Sequence, residues 1–246
     1  MIFGYLLVFV MDERYIRARM LLGAQAMEKL KNSHVAVFGL GGVGSWCAEA
    51  LVRSGIGKLT VIDRDTVSLS NINRQLLATE KTVGLPKAEV MKSRLTDINP
   101  NVEIVAVCGH YEAACREDFF ADYDYIVDAI DLVSCKLDLI CTALDRGIPI
   151  VSSLGTGNKL DASLLRICDI KSTSGCPLAR VMRKELRARG VEHLDVVFSP
   201  EEPMACEQPE TPPPGRRSVP GSLVWVPASA GMLLCQHVVT SLIAQI

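Results

Sequence analysis

The sequence has no pair of cysteines at the Cys-x-x-Cys spacing, although nine cysteines are scattered through its 246 residues. An odd number of dispersed cysteines argues against a disulfide framework and indicates a reducing compartment, as expected for a cytoplasmic protein. An excess of one charge is also missing, because the formal net charge at pH 7 is only −2. This argues against a bulk cationic surface but not against a local basic patch. The four histidines, His34, His110, His193 and His237, lack the spacing of metal ligands and are interpreted as structural.

An apolar run occupies residues 1–10. It is much shorter than a membrane span, and it lacks the positive charge and the small-residue cleavage site of a signal peptide. We interpret it as an extra N-terminal tail and expect Met11 to be the natural start, with a short membrane-touching tail as the alternative. The remaining residues, 12–246, have the length of one α/β domain with a substantial core.

A glycine-rich turn follows the apolar strand predicted over His34–Phe38 and precedes a helical pattern. Gly39 allows the chain to leave the strand in a tight turn, whereas Gly44 lets the helix pack close to the strand. Gly41 and Gly42 leave the backbone open to a phosphate, which the N-terminus of the following helix attracts. The pattern predicts a nucleotide site, with a glycine turn that binds no ligand as the alternative.

Charged residues follow this turn in an order that suits a nucleoside triphosphate. Asp63 ends a second predicted strand about twenty residues later, where an acid binds ribose hydroxyls. Arg74 and Lys87 come next and are placed to clamp phosphates. Asp131 follows another apolar strand, at the edge of the sheet where an acid can hold Mg²⁺. The glycine spacing alone is typical of NAD or FAD sites, but dehydrogenases do not need the later cations.

Alternating strands and helices predict an α/β fold, with a Rossmann-like, mostly parallel sheet and flanking helices. After His34–Phe38, the predicted strands are Lys58–Asp63, Val102–Val107, Tyr125–Val127 and Ile148–Val151. The predicted helices are Arg14–Leu30, Trp46–Arg53, Lys87–Ile98 and Leu132–Arg146. In the first helix, the apolar positions expected from the periodicity are Ile16, Met20, Leu21 and Leu30.

The pattern changes from Gly155 onward. A strand is predicted over Leu164–Ile170, and a helix begins near Pro177, where a proline suits the first turn. Only Glu185 offsets the cations of that helix, which are Arg180, Arg183, Lys184, Arg187 and Arg189. An ordinary solvated helix face and a polyanion-binding face both fit this composition. The segment Glu201–Gly221 is rich in proline and glycine and is predicted to be a flexible loop.

The C-terminal segment, Leu223–Ile246, is apolar and long enough to span a membrane. Proline, glutamine and histidine interrupt it, so we predict a strand over Leu223–Val226 and a buried helix from Ser229. A membrane helix is the alternative, and membrane contact is not expected.

Cys206 is predicted to be exposed. We assign it no catalytic role, and a role in forming a thioester is the alternative. Six other cysteines are predicted to be buried, namely Cys47, Cys108, Cys135, Cys141, Cys168 and Cys235.

Over residues 12–156 these motifs resemble those of the ubiquitin-activating-enzyme-like adenylyltransferases. The resemblance implies an ATP-binding fold in which Mg-ATP contacts Gly39, Gly41, Gly42, Gly44, Asp63, Asn71, Arg74, Lys87 and Asp131, with Asp131 on the metal. The segment Arg14-Tyr15-Ile16-Arg17 resembles the family's Arg-Tyr-x-Arg segment, whose second arginine reaches the ATP of the partner subunit. A homodimer is therefore implied, and the implied catalytic residues are Arg17, Arg74, Lys87 and Asp131.

The second half indicates the substrate class. Relatives that activate sulfur-carrier proteins often carry two Cys-x-x-Cys pairs for a structural zinc, which this chain lacks, so no zinc is expected. The segments Cys176–Arg187 and Val196–Pro203 instead resemble those of the tRNA threonylcarbamoyladenosine dehydratases, and this resemblance covers 12–246. The family's usual acid before Pro-Leu-Ala is Cys176 here, and no catalytic role is assigned to it. A single adenylation domain is implied, with a nucleotide-binding half, 12–156, and a substrate-side half, 157–246.

The implied reaction is the ATP-dependent cyclisation of threonylcarbamoyladenosine beside the anticodon of a tRNA, through an adenylated carboxylate. The tRNA contacts would come from Arg180, Arg183, Lys184 and Arg187. Three alternatives remain open at the level of sequence. They are an enzyme that activates the C-terminus of a ubiquitin-like sulfur carrier, an NAD-dependent oxidoreductase, and a non-catalytic, ATP-dependent scaffold for sulfur-transfer proteins.

Overall fold

The computed structural model describes residues 12–208 and 219–246. The apolar run at 1–10, Met11 and the middle of the loop predicted over 201–221 lie outside the described residues. A seven-stranded sheet forms the centre of the molecule. Its strands are β1 His34–Phe38, β2 Lys58–Ile62, β3 Glu103–Val107, β4 Tyr125–Asp128, β5 Ile150–Ser153, β6 Arg166–Asp169 and β7 Asp195–Phe198.

The strand order is β3-β2-β1-β4-β5-β7-β6, and every neighbouring pair is parallel except β6 with β7. The mostly parallel, Rossmann-like sheet predicted from the alternating pattern is confirmed. The direction of strand order reverses between β1 and β4, because the chain runs from β1 outward to β3 and then returns to the other side. Ligands bind at such a reversal in open α/β sheets.

Helices cover both faces of the sheet. They are α1 Ile16–Lys31, α2 Gly44–Arg53, α3 Lys87–Ile98, α4 Val133–Asp145, α5 Pro177–Ala188 and α6 Trp225–Ile243. Successive residues of β1 point to opposite faces, so Val35 and Val37 join one core cluster while Ala36 and Phe38 join the other. The first cluster packs beneath α2, α3 and α6, and the second beneath α4 and α5.

The C-terminal helix begins earlier than predicted. No strand forms over Leu223–Val226; α6 starts at Trp225, and Pro227 lies in its first turn, where a missing N–H costs little. One face of α6 is fully buried at every fourth residue: Val226, Ala230, Leu234, Val238 and Leu242. This helix is long and apolar enough to cross a membrane, but half of its most apolar stretch is buried within the protein. The predicted buried terminal helix is confirmed.

The first turns of α1 do not face the core. Leu30 is buried as predicted, but Met20 is 73% exposed and Leu21 is 88% exposed. The helix is interrupted at Gly23, which has a φ of 84°, so the turns before it project away from the core that the later turns contact. The predicted helix is thus correct, whereas its apolar positions are covered only in its second part.

Of the six cysteines predicted to be buried, three are buried, Cys141 and Cys168 are only partly buried, and one is exposed. Cys47, Cys135 and Cys235 are buried, and Cys206 is exposed. Cys108 is exposed as well, which corrects the prediction of a buried thiol. It directly follows β3, the strand at the edge of the sheet, where the chain leaves the covering helices.

Candidate active site

A cleft of about 540 Å³ opens at the carboxyl ends of β1, β2, β4 and β5, across the reversal of strand order. Its volume is in the range of small-molecule binding sites. The part above β2, β1 and β4, here named the motif end, includes Gly39, Gly41, Gly42, Asp63, Asn71, Arg74, Lys87 and Asp131. The part beyond β5, here named the loop end, includes Ser153, Leu154, Gly155, Thr156, Gly157, Leu178, Pro220 and Ser222.

The glycine turn has the close packing that its sequence predicts. Gly39 adopts a φ of 90°, and an added Cβ there would lie 2.6 Å from the carbonyl oxygen of Ala129. A Cβ at Gly44 would lie 1.8 Å from the carbonyl oxygen of Gly39. Gly41 has open space beside it, and no side chain caps the helix that follows. The Ser45 N–H already donates to the Gly41 carbonyl at 3.2 Å, and the positive end of the α2 dipole still faces the motif end, where it favours an anion.

Asp63 holds the glycine turn in addition to facing the cleft. Its Oδ2 accepts the Leu40 N–H at 2.6 Å, and its Oδ1 accepts the Asp65 N–H at 2.8 Å. Each carboxylate oxygen has a second lone pair, so ribose hydroxyls can still donate to it. The carboxylate that would bind the sugar is fixed by the same turn that would bind the phosphates.

Lys87 is a buried cation at the first position of α3. Its ammonium contacts Asp65 Oδ2 at 3.1 Å, and its side chain is nearly inaccessible to solvent. Asp65 lines the cleft as well but was not predicted to belong to the site. Its position two residues after Asp63 was the available signal. The pair holds a positive charge at the motif end that solvent screens only weakly.

The segment that carries Asn71 and Arg74 is braced by α2. Trp46 Nε1 donates to the Arg74 carbonyl at 3.1 Å. The Arg74 guanidinium donates to the Ser70 carbonyl at 2.8 Å, and burial lowers its pKa, although it stays charged at neutral pH. Asn71 Oδ1 accepts the Ser68 N–H at 3.1 Å. The guanidinium is thus oriented before any ligand binds.

The loop that carries Asp131 is anchored in the core by an ion pair. Lys136 on α4 and Asp128 on β4 are both 0% exposed, and Lys136 Nζ lies 2.7 Å from Asp128 Oδ2. Ser152 Oγ donates to the same oxygen at 2.7 Å, and the Ile130 N–H donates to Asp128 Oδ1 at 3.1 Å. Every oxygen of this carboxylate is therefore satisfied by a donor. The pair fixes the chain immediately before Asp131.

Gln75 is a further polar residue in the cleft wall that the motif analysis did not assign. It is 7% exposed, and its Oε1 has no hydrogen-bond partner within residues 12–208 and 219–246. Buried carbonyl oxygens are rarely left unpaired. The oxygen is itself buried, so the wall of the cleft holds an acceptor that no described residue pairs with.

The loop end is built from residues far apart in the sequence. Asn158 has a φ of 60°, and its Oδ1 accepts the Gly221 N–H at 2.6 Å. The buried Lys159 donates to the carbonyls of Ser199 and Glu201. These contacts join the chain after β5 to both described arms of the predicted loop. No sequence motif marked these residues, because the contacts form only in the folded protein.

Not all predicted site residues meet in the cleft of one chain. Arg17 is exposed on the projecting part of α1 and does not line the cleft. Arg180, Lys184 and Arg187 are exposed on α5, whose first turn reaches the loop end through Leu178. Arg183 is half-buried on the same helix; its Nη1 donates to the Thr173 carbonyl at 2.8 Å and to Thr173 Oγ1 at 2.6 Å, and its predicted contact with tRNA stays a prediction.

The acidic side chains that line the motif end are Asp63, Asp65 and Asp131. The described part of the chain contains no group of three or more His, Cys, Asp or Glu side chains arranged to hold one. Mg²⁺ is usually held by one or two carboxylates together with substrate phosphates. A site that offers Asp131 beside a phosphate-binding turn therefore fits Mg²⁺ brought in with a nucleotide.

Similarity to known proteins identifies the family of this chain. The model of the ThiF family matches residues 14–245. The chain belongs to the ThiF family. The tRNA threonylcarbamoyladenosine dehydratase of Bacillus subtilis is 40% identical to it, over 96% of this chain and 97% of that protein. The tRNA threonylcarbamoyladenosine dehydratase of Escherichia coli is 37% identical, over 77% of this chain and 74% of that protein.

Solved structures of the ThiF family agree with the fold. A crystal structure of the E. coli tRNA N6-threonylcarbamoyladenosine dehydratase in complex with ATP superposes with a TM-score of 0.85. The sequences in that comparison are 34% identical, and the match covers 94% of each chain. The predicted adenylyltransferase fold is confirmed.

Proposed function

We propose that this protein is an ATP-dependent tRNA threonylcarbamoyladenosine dehydratase. The observation that carries the proposal is a single cleft in which the motif end continues directly into the loop end. A nucleotide on the glycine turn would place its α-phosphate toward Asp131, and an acceptor carboxylate could enter past Ser153 and Thr156. The dehydratases that resemble this chain over nearly its whole length act on such a substrate by name.

At the motif end, the residues of this chain bind and orient the triphosphate. The N-terminus of α2 receives phosphate oxygens, and Asp63 accepts from the ribose. Lys87 and Arg74 stabilise the charge that develops on the phosphates when the α-phosphorus is attacked. Because both cations are held in place before the ligand binds, little reorganisation is needed during the reaction. Adenylation requires no side-chain nucleophile.

Asp131 is proposed to hold Mg²⁺ together with the phosphates of ATP. The metal, when bound, neutralises phosphate charge and helps to bend the triphosphate for in-line attack. The buried Asp128–Lys136 pair keeps the Asp131 backbone in position. Asp131 is thus a metal-binding residue in the proposal, and Asp128 and Lys136 are positioning residues.

The acceptor reaction has two balanced steps. An oxygen of the threonine carboxylate attacks the α-phosphorus, so that a P–O bond forms and pyrophosphate leaves. The carbamoyl group then attacks the activated carbonyl carbon, a ring closes, and AMP departs with the original carboxylate oxygen while one proton is lost. Holding both reactants in one cleft raises their effective concentration and fixes the line of attack.

The tRNA is proposed to lie across α5 and the mouth of the loop end. Arg180, Lys184 and Arg187 follow a spacing of four and three residues, which places them on one helix face. In the described part of the chain no hydrogen bond or ion pair engages these three side chains. Arg183 differs from them, since its Nη1 already donates to Thr173. Three unengaged cations on one face can meet consecutive phosphates.

This RNA contact is testable by salt titration. The double variant Arg180→Glu with Arg187→Glu should weaken tRNA binding and flatten its salt dependence, by about one unit of slope for each phosphate that the variant no longer neutralises. ATP affinity should stay unchanged. Arg189→Glu is a matched control, because Arg189 already pairs with Glu185 at 2.8 Å. Equal slopes in the wild type and the double variant would contradict the assignment of this face.

We further propose a homodimer in which Arg17 completes the cleft of the partner subunit. Arg17 lies on an exposed face of α1, beside the exposed apolar side chains of Met20 and Leu21. Burying those side chains between two subunits would remove apolar surface from water. The same contact could carry Arg17 toward a second cleft.

Subunit mixing tests the composite site. Arg17→Ala and Lys87→Ala proteins should each be inactive alone, and a mixture should regain activity because hybrid dimers contain one intact cleft. Arg19→Ala, on the same helix, is the control that should stay active by itself. A mixture that exchanges subunits but stays inactive would contradict the proposal that Arg17 acts across the interface.

The reaction itself is tested by product analysis. Purified protein with ATP and Mg²⁺ is supplied with tRNA that carries threonylcarbamoyladenosine, with the same tRNA lacking that modification, or with a sulfur-carrier protein ending in Gly-Gly. We expect AMP and the cyclic nucleoside in equal amounts, and only with the modified tRNA. AMP formation with the carrier protein alone would support the sulfur-carrier alternative and overturn the proposal.

A reducing cytoplasm is the proposed location of the protein, consistent with the nine unpaired cysteines.

A further inference from the structure

Trp225 differs from the other aromatic residues of the protein in its exposure. It is 48% exposed, and among the Phe, Tyr and Trp side chains of the described residues it is the only largely exposed one. Exposing an indole ring forgoes the benefit of burying a large apolar surface. Exposure alone does not mark a site, since single apolar side chains are common on protein surfaces, so the setting of the ring decides its meaning.

The ring is also fixed in place. Trp225 Nε1 donates to the Leu160 carbonyl at 2.7 Å. Leu160 is held in turn on its other side, because its N–H donates to Glu201 Oε1 at 2.9 Å. The indole is therefore attached at its polar edge to a rigid turn. Its ring face is exposed to solvent. Because the side chain is already held in one orientation, binding a ligand on this face would cost little conformational entropy.

The position of the ring connects it to the cleft. Ser222 and Pro227, which flank Trp225 in the chain, both line the cleft. Gly157, which lies three residues before Leu160, lines the loop end as well. The exposed indole thus sits at the rim of the cleft, between the loop end and Pro227, whose ring packs on Gly42 of the glycine turn.

We propose that the indole of Trp225 is a stacking platform for a nucleobase of the anticodon loop. This inference rests on the proposed function. A threonylcarbamoyl group can enter the cleft only if its adenosine leaves the stack of the loop. Unpaired bases of single-stranded RNA are held by proteins on aromatic faces, which contribute substantially to affinity without reading the sequence. Trp225 offers such a face where the extruded base would emerge.

Tryptophan fluorescence gives a direct measurement. The chain has two tryptophans, and the other, Trp46, is partly buried with its Nε1 bonded to Arg74. Stacking of a base on an indole quenches its emission, so tRNA should quench the wild-type protein. Trp225→Phe should retain tRNA binding within a few-fold, because a smaller aromatic face remains. It should lose most of the quenching, because the indole that tRNA quenches has been removed.

Removing the aromatic face should weaken tRNA binding. Trp225→Leu should raise the tRNA dissociation constant by about tenfold, with no change in ATP affinity. Met232→Ala is the matched control, since Met232 is another exposed apolar side chain on α6 and has no place at the cleft. Equal tRNA affinities of wild type and Trp225→Leu, or no quenching by tRNA, would overturn the proposal.

Two further outcomes are distinguished in the same experiments. If Trp225→Leu shifts the protein toward monomers in analytical ultracentrifugation and does so in proportion to its loss of tRNA binding, the ring belongs to a subunit interface and the proposal fails. If the wild type forms no cyclic nucleoside from modified tRNA, the proposed function fails. Cyclic product from the wild type together with unchanged tRNA binding by Trp225→Leu would refute the stacking role alone.

Discussion

The two ends of the cleft are held together in different ways. At the motif end, buried charges and backbone contacts fix the site, as Lys87 and the Asp128–Lys136 pair show. At the loop end, side chains tie together segments that are distant in the sequence, as Asn158 does with Gly221 across 63 positions. The first arrangement resists change, because altering it disturbs the core. The second depends on contacts between distant segments, although Ser153 of its lining belongs to β5.

This difference has a functional meaning in the proposed reaction. A rigid site suits the nucleotide, because preorganised charges stabilise the negative charge that develops on its phosphates. The acceptor differs between relatives that activate a protein tail and those that act on a tRNA base. The contacts between distant segments lie at the loop end, where the proposal places the acceptor. Substitutions at the two ends should therefore separate stability, nucleotide use and tRNA use.

The largest effect is expected from Lys136→Met at the base of the motif end. It leaves the fully buried Asp128 carboxylate without its counter-charge, which should lower the free energy of unfolding by about 3–5 kcal/mol. Denaturant titration measures the change. Lys171→Met is the control, because the Lys171 ammonium contacts Glu192 and His193 at the exposed surface.

A second variant tests the assignment to the ion pair. The double variant Asp128→Asn with Lys136→Met should recover part of the lost stability, because the buried charge is removed together with its partner. No recovery would mean that the loss comes from packing of the lysine side chain. The Asp131 loop would then need another explanation for its position.

Lys87→Ala should have the next largest effect, on catalysis rather than stability. Loss of a preorganised cation at the developing phosphate charge should lower kcat/KM for AMP formation by about 10²–10³-fold. Lys92→Ala, on the exposed side of the same helix α3, should react like the wild type. Steady-state assays with saturating tRNA would decide, and a loss below tenfold would contradict the role of Lys87 at the phosphates.

Asn158 tests the loop end separately. Asn158→Ala loses the bond to Gly221 and places alanine at a φ of 60°, so it should cost about 1–2 kcal/mol of stability and raise the KM for tRNA. Asn158→Gly tolerates the backbone conformation and should lose only the side-chain bond. The KM for ATP should be unchanged in both. A parallel change in both KM values would break the distinction between the two ends.

The smallest effect is expected at the amino end of β1, away from the cleft. Burial, with a further contribution from Lys58, lowers the pKa of His34. The unfolded chain then binds this proton at a higher pH than the folded chain, so stability falls as the pH drops below about 6.5. Relative to His34→Gln, the wild type should lose about 2 °C more in Tm on acidification to pH 5. An identical pH dependence of Tm in both proteins would refute this.

The sequence predicts the motif end well because its signals are local. The glycine turn, Asp63 and Lys87 follow strand ends at spacings set by the βαβ unit itself, and the structure brings them together. The helix α3 begins and ends at the predicted residues, Lys87 and Ile98. Local spacing sufficed here because each residue is placed by the strand or helix it belongs to.

The loop end could not be predicted because its contacts are long-range. Trp225 bonds to Leu160 across 65 positions, and no pattern within either segment indicates that contact. The segment 223–226 is apolar and suits a strand, but packing of α6 against α2 and the first-turn position of Pro227 favour helix. Arg183 looked equivalent to its neighbours, and only the fold shows that Thr173 engages it.

The transfer of one oxygen atom tests the central claim most directly. tRNA would be prepared with ¹⁸O in the threonine carboxylate of its threonylcarbamoyladenosine and incubated with the protein, ATP and Mg²⁺, and the AMP would be analysed by mass spectrometry. If the cleft joins a bound nucleotide to this acceptor, one ¹⁸O atom should appear in the phosphate of AMP for each cyclic nucleoside formed. Cyclic nucleoside with unlabelled AMP would contradict an adenylated carboxylate intermediate.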